Sequence, residues 1–465
     1  MKKIFTSPLA WASLAFVGSR IVYRMLGIQF DSSPLLWFWQ ILDPYLLTNH
    51  LTSSLLYLHT QPPLFNLLLG LFFKLFPGSL NVAFSVFYLG LGLVLFWSLY
   101  QIMTSLGVND KIAALLTILF SVSPACVLYE NWLFYTYLMA LFLMLSLLFL
   151  RRFVSGQGFW PCFLFFLSLA LCVLTRTSFH LIWFLVLLLL VLRLQRLHAK
   201  RILLASAFPL LLLIFLYAKN LYLFGEYPGS TWLGMSLFKI VSSEVSLEDR
   251  QRLFAESRIS EISLFPSYSW LTTYPLAVRR TAPTGIPALD QKAKTTGFNN
   301  YNHIAYLEIS RYYLRDSLFL IRWSPSLYWR AVGESFRIYA FSASELVFLR
   351  RNREKIPWFD AVANRILFGN FSGKPEGPYW FLLLGIPALC VYSIAKTSAL
   401  FKQGNVAAAV PLVFLSFNVF YASIIGNLLE IGENHRYRFE IDGFLVILSG
   451  LALTDLYRAV RHRYF

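Results

Sequence analysis

Apolar residues run in long unbroken blocks along this chain, separated by short clusters of Lys, Arg, Pro and Gly. The blocks lie at roughly 8–27, 80–104, 111–128, 131–150, 158–175, 177–193, 202–222, 378–396, 406–428 and 440–457. Each is close to the roughly 17–25 residues that an α-helix needs to cross a bilayer. They are continuous in Leu and Phe rather than alternating, which argues against a transmembrane barrel. The pattern predicts an all-α polytopic membrane protein with about 10 transmembrane helices, in a range of about 9–12.

Two regions break the rhythm. The apolar segment from Pro62 to Pro77 is bounded by proline and would be only about 24 Å long as a helix. It predicts a helix that dips into the outer leaflet or lies along it. Between Phe224 and Tyr379 the chain turns hydrophilic. Residues 225–235 and 281–303 read as loop from their Gly, Pro and Asn content. Residues 304–350 show helical spacing, but Arg322, Arg330 and Arg337 forbid a lipid span. Each charge at mid-bilayer costs about 2.5–3.5 kcal/mol on insertion scales. An interfacial amphipathic helix suits that stretch. Leu35 to Leu58, with Trp37 and Trp39 as interface anchors, predicts juxtamembrane helices in a first external loop. The chain thus divides into a membrane module (1–222) containing a first external loop (28–79), a large external loop (223–377) and C-terminal transmembrane helices (378–465).

Composition agrees. Of 465 residues 57% are hydrophobic and 14% charged, against about a quarter charged in soluble domains. The net charge of +17 does not point to nucleic acid, because much of it flanks the apolar blocks. By the positive-inside rule Lys2-Lys3, Lys111, Arg151-Arg152, the run Arg193 to Arg201, Lys396 with Lys402, and Arg458 to Arg463 face the cytoplasm. Ten spans satisfy all of these if 62–77 does not cross. The expected location is the cell inner (cytoplasmic) membrane, with an uncleaved first helix. Cys126, Cys162, Cys172 and Cys390 lie in or beside apolar segments without metal-ligand spacing and read as core residues.

With this topology four polar clusters share the external, periplasmic face: Asp43 to Gln61, Tyr129 to Trp132, Thr175 to Thr177, and Gly432 to Arg438. Asp43 offers a carboxylate general base, unless it merely caps a helix at Pro44. Asp31, before Ser32-Ser33-Pro34, reads as a helix cap. His59 and Gln61 precede a rigid Pro62-Pro63 turn and can donate to phosphate oxygens. Glu130 is either a cap for a helix starting at Asn131 or an orienting group for an acceptor or a basic partner, with Tyr129 and Asn131 beside it. His435, Arg436 and Arg438 form the densest cationic cluster, suited to a phosphate clamp or to an ion-pair network with Glu433 or Glu430. Arg176 and Lys219 are lesser candidates, Arg176 for binding the donor phosphate; each ends an apolar span, where snorkelling suffices to explain it. Asn299, Asn300, Asn302 and His303 suit either a sugar or a turn. Phosphate-loop, nucleophile-elbow and zinc-protease motifs are absent, so no cofactor or metal is expected. A divalent cation shared by Asp43 and Glu130 is the one metal arrangement the acids offer.

Taken together, these residues resemble the type C (GT-C) membrane glycosyltransferases. The likeness rests on an acid in the first external loop, His59-x-x-Pro62-Pro63-Leu64 before a short apolar stretch, and Ser123-Pro124 ahead of Glu130. Thr175-Arg176-Thr177 and Glu433 to Arg438 extend it. The nearest branch is the bacterial one related to protein O-mannosyltransferases and aminoarabinose transferases. The resemblance implies a GT-C-like helical bundle and inverting transfer of a sugar from a polyprenyl-phosphate donor. The acceptor hydroxyl would belong to a protein, a lipid or a polysaccharide. It implies Asp43 as the base. The basic residue that commonly follows the motif histidine is replaced by Thr60-Gln61, which passes phosphate binding to Arg436 or Arg438. The competing expectations are a lipid-linked sugar transporter or flippase, and an O-antigen polymerase or ligase.

Overall fold

The computed structural model describes residues 7–227, 229–374 and 377–464. Lys2 and Lys3 and the Arg463 side chain lie outside the described residues. Helices dominate, and among the described residues strand pairing is limited to two isolated bridges.

Every predicted block contains helix. The helices are α1 (Pro8–Met25), α2 (Leu64–Leu75), α3 (Leu80–Ser105), α4 (Asp110–Val122), α5 (Pro124–Glu130), α6 (Thr136–Gly156), α7 (Phe159–Thr175), α8 (Leu181–Leu194) and α9 (Ala199–Phe224). The polar region contributes α10 (Leu233–Val241), α11 (Ala305–Trp323) and α12 (Pro325–Tyr339). The last three are α13 (Trp380–Lys402), α14 (Val406–Leu429) and α15 (Asn434–Tyr464). Among the described residues five helices are long and apolar enough to cross a membrane, namely α3, α6, α9, α13 and α14; the bent pair α4–α5 makes six. This is an all-α protein with several membrane-competent helices. α7 and α8, of 17 and 14 residues, are apolar but shorter.

The bend of 56° between α4 and α5 has a local cause. Pro124 removes an N–H donor and cannot continue α4, while Ser123 caps the new helix through the Cys126 N–H at 3.3 Å. The predicted span at 131–150 also starts later than its apolar run, at Thr136. Asp31 engages the intervening backbone: its N–H donates to Asn131 O at 2.8 Å and its carbonyl accepts from Leu133 N at 2.9 Å. Glu130 therefore ends α5 and caps nothing, which corrects the expected cap of a helix beginning at Asn131.

The stretch 35–58 is broken into the short helices Pro34–Trp37, Pro44–Asn49 and Leu51–Leu56, with proline at the first position of the first two. The segment 62–77 forms α2, 12 residues long. Residues 304–350 form two helices rather than one, broken at Ser324-Pro325, and then 3-10 turns.

α6 is the hub of the bundle, contacting α3, α7, α14 and α15. Its core-facing Leu, Met and Tyr side chains join one continuous apolar cluster that runs from α1 to α15. A second core binds α10 to α11 and α12 through Trp232, Met235, Phe238, Tyr306, Ile309 and Tyr313. Gly234 makes the α10–α11 approach feasible, because a Cβ there would collide with the Ser310 carbonyl and the Leu314 N–H.

Candidate functional site

A cavity of about 590 Å³ lies between these two cores. Its floor is polar: Arg176 and Thr177 follow α7, Arg436 and Tyr437 open α15, Glu430 follows α14, and Gln40 and Gln61 come from the first loop. Ser230, Trp232, Ser236 and Tyr268 close it from the 223–377 region. Its other wall is apolar. Ile182, Trp183 and Val186 of α8 face Phe417, Tyr421 and Ile425 of α14, spacings that keep each set on one helical face. Ile182 and Val186 are also exposed at 64% and 40%, so this wall reaches the outer surface of the bundle. Trp183 Nε1 donating to Asn418 Oδ1 at 3.0 Å, and Tyr421 donating to Ser178 O at 2.6 Å, fix the two helices on either side.

Three cation–carboxylate pairs surround the polar end. Arg176 is buried, pairs with Glu440 and lies 3.8 Å over the Tyr437 ring. A fully buried guanidinium with a buried partner is not snorkelling, so that reading of Arg176 is corrected. Arg436 Nη2 sits 2.9 Å from Glu433 Oε2, off the line of a hydrogen bond, and the guanidinium rests among Phe134, Tyr135 and Tyr437 at 4.9–5.7 Å. Its Nε and Nη1 have no partner among the described residues. Lys239 of α10 donates to Glu430 Oε1 at 2.6 Å. Burial opposes the Lys239 charge, but Glu430 and Glu433 outweigh it and raise its pKa. Trp232 Nε1 is a further buried donor without a partner at the cavity.

The expected clamp of two arginines does not form. Positions two apart point to different sides of a helix. Arg438 is turned away from the cavity, bonding Asp442 at 3.0 Å and the Tyr339 carbonyl at 2.8 Å, together with Phe341 O. His435 is also buried outside the cavity lining, with neither ring nitrogen partnered. The guanidinium beside Arg436 is instead Arg176, about 260 residues earlier in the chain.

His59 is buried, but it serves the architecture. Its Nδ1 lies 2.8 Å from Thr231 Oγ1 and its Nε2 3.1 Å from Asn302 O. Burial pushes its pKa down to about 3, so the ring is neutral and supplies no charge to a phosphate. Thr231 N also donates to His59 O, and Ser230 Oγ to Thr60 O. The motif thus grips residues 230–231 and sets Trp232 at the cavity, while Gln61 lines the cavity itself. Lys219 Nζ donates to Leu58 O at 2.6 Å, and Asn302 Oδ1 accepts from His59 N at 3.1 Å. Asn299, Asn300 and Asn302 are all engaged in such loop contacts.

Asp43 is 2% exposed and caps the helix Pro44–Asn49. Oδ1 accepts from Tyr45 N at 3.0 Å and Thr295 Oγ1 at 2.6 Å, and Oδ2 from Thr295 N at 2.7 Å. It is not part of the cavity lining. Lys294 next door donates to Phe38 O, and burial lowers its pKa to about 8. Glu130 is held in a two-point pair with Arg20, Nη2 to Oε2 at 2.6 Å and Nε to Oε1 at 3.1 Å, and accepts from Tyr137. Asn131 donates to Val127 O, and Tyr129 stacks on Phe439 at 4.2 Å. None of these three lines the cavity. Asp43 and Glu130 share no partner, and among the described residues no group of three or more His, Cys, Asp or Glu side chains is placed to hold a metal ion.

Three of the four polar clusters therefore contribute to one cavity, through Gln61, through Arg176 with Thr177, and through Arg436 with Tyr437. Gln40, Tyr135, His180, Trp232, Tyr268 and Glu430 join them without having been singled out as site residues. Comparison with protein-family models, with characterised proteins and with solved structures returns no match.

Proposed function

We propose that the cavity holds an amphiphilic phosphate, a polyprenyl-phosphate-linked sugar, and that the protein is a membrane glycosyltransferase with about 10 transmembrane helices. The observation that carries the reading is Arg436. It is a buried guanidinium with two unpaired N–H donors, at the polar end of a cavity whose other wall is apolar and reaches the bundle surface. A lipid phosphate matches both ends: its oxygens accept from Arg436 and Arg176, and its chain lies between α8 and α14. Trp232, Tyr268 and Gln61 offer a ring face and polar atoms for a sugar.

Transfer to an acceptor hydroxyl breaks the bond between the anomeric carbon and the phosphate oxygen. Negative charge grows on the departing polyprenyl phosphate, and the fixed arginines stabilise it without rearrangement. The same membrane-facing opening would serve a transporter of lipid-linked sugars, and turnover separates the two readings. Purified protein is incubated with polyprenyl phosphates carrying radiolabelled hexoses or pentoses, with and without acceptor hydroxyl compounds. Acceptor-dependent release of polyprenyl phosphate supports transfer; saturable binding with no product supports transport instead.

A further inference from the structure

The cavity holds one carboxylate among its lining side chains, and it is not the acid that the first loop suggested. Glu430 lies where α14 ends, 16% exposed, between Leu429 and the turn into α15. Both of its hydrogen bonds fall on one oxygen: Lys239 Nζ and Ile431 N donate to Oε1 at 2.6 and 3.1 Å. Among the described residues Oε2 has no hydrogen-bond partner, and it belongs to a side chain on the cavity wall. Asp43, by contrast, spends both oxygens on Tyr45 and Thr295 and lies outside that wall. A general base has to come within hydrogen-bond reach of the proton it takes. The neighbouring acids are not among the cavity lining: Glu440 pairs with Arg176, and Glu433 lies beside Arg436.

We infer that Glu430, positioned by Lys239, is the catalytic base that takes the acceptor's hydroxyl proton. The inference rests on the glycosyl-transfer reading above. In the step, the acceptor O–H proton passes to Glu430 Oε2 as the acceptor oxygen bonds to the anomeric carbon. The carbon–oxygen bond to phosphate breaks, and its electron pair leaves with polyprenyl phosphate toward Arg436 and Arg176. Placement supports the division of labour. The arginines enter the cavity from the loop after α7 and the start of α15, Glu430 from the end of α14, and Tyr437 lies on the same wall. A sugar held there has its leaving phosphate and its attacking hydroxyl served by different groups. Lys239 comes from α10, so the 223–377 region supplies a positioning residue as well as Trp232 to the site.

The test compares wild type, Glu430→Gln, Glu430→Asp and Asp43→Asn in detergent, with polyprenyl-phosphate-linked radiolabelled sugar as donor. Glu430→Gln is expected to lower kcat about 100- to 10,000-fold with little change in KM for the donor. Binding of unsubstituted polyprenyl phosphate should stay within about threefold of wild type, which a misfolded protein would not allow. Glu430→Asp should recover part of the rate, and Asp43→Asn should turn over normally wherever the protein stays folded. A Glu430→Gln variant that binds polyprenyl phosphate and transfers at the wild-type rate overturns the inference while leaving the transfer reading intact. Wild type that turns over none of the donors overturns both.

Discussion

Removing Glu130 separates a structural acid from a catalytic one. Its carboxylate is 3% exposed and its partner Arg20 12%, and two hydrogen bonds join them. Arg20 Nη1 also donates to Ser121 O at 2.8 Å, and Tyr137 donates to Glu130 Oε2 at 3.1 Å. Glu130→Ala leaves a guanidinium buried without its counter-charge, which costs about 3–5 kcal/mol. The lost Tyr137 bond adds about 1 kcal/mol. Replacing both partners, Arg20→Met with Glu130→Met, removes the unpaired charge and should restore all but about 1–2 kcal/mol. Gly92 limits the repair, because side-chain atoms of Glu130 and Tyr137 fill the space where its Cβ would stand. Unfolding in mixed micelles of rising dodecyl sulfate content, followed by tryptophan fluorescence, measures the series. The single variant should unfold well before the double variant, and donor turnover per folded molecule should be unchanged in both. A Glu130→Ala protein as stable as wild type, with turnover abolished, would refute this assignment and return Glu130 to the reaction.

Other predictions follow from neighbouring contacts. Gly234→Ala drives a methyl group into the α11 backbone at Ser310 and should destabilise the protein by about 1–3 kcal/mol or more, read as an earlier unfolding midpoint. Arg436→Ala should weaken binding of polyprenyl phosphate about 10- to 100-fold in equilibrium dialysis, the worth of a charge-assisted hydrogen bond. Arg438→Ala should leave that affinity alone in the folded protein and lower stability instead, since it strands Asp442 and the Tyr339 carbonyl. His59 carries a folded pKa of about 3 against an unfolded value near 6.5. The unfolded chain therefore binds the extra proton first. Stability contributed by His59 is complete above about pH 6.5 and falls by up to about 1.4 kcal/mol per unit as pH drops toward 3. Hydrogen exchange at 230–231 should accelerate over that window, and His59→Asn should flatten the dependence.

The helices were legible because burial in lipid demands long apolar runs, and each such run holds a helix. Breaks inside the runs were less so. Ser123-Pro124 announces the α4–α5 bend, but the late start of α6 depends on Asp31 reaching across from the first loop. The candidate site was legible by cluster rather than by role. Capping and general-base catalysis ask for the same residue before a proline, and at Asp43 they are distinguished by the bonds to Tyr45 and Thr295 and by its place outside the cavity lining. Glu130 looked available because its partner lies 110 positions away, on α1. Glu430 appeared only as a partner for the arginines, since nothing local marks Lys239 as its companion. The Arg436–Arg438 clamp failed on helix geometry, which the spacing of two already contained.

The central claim is that the cavity turns over a lipid-phosphate sugar. It is tested most directly by incubating purified wild type and Arg436→Ala with radiolabelled polyprenyl-phosphate sugars and an acceptor hydroxyl, and measuring released polyprenyl phosphate. Wild type is expected to release polyprenyl phosphate in an acceptor-dependent manner with at least one donor, and Arg436→Ala to lose about 10- to 100-fold of that release. Saturable donor binding without release, or release indifferent to Arg436, would contradict it.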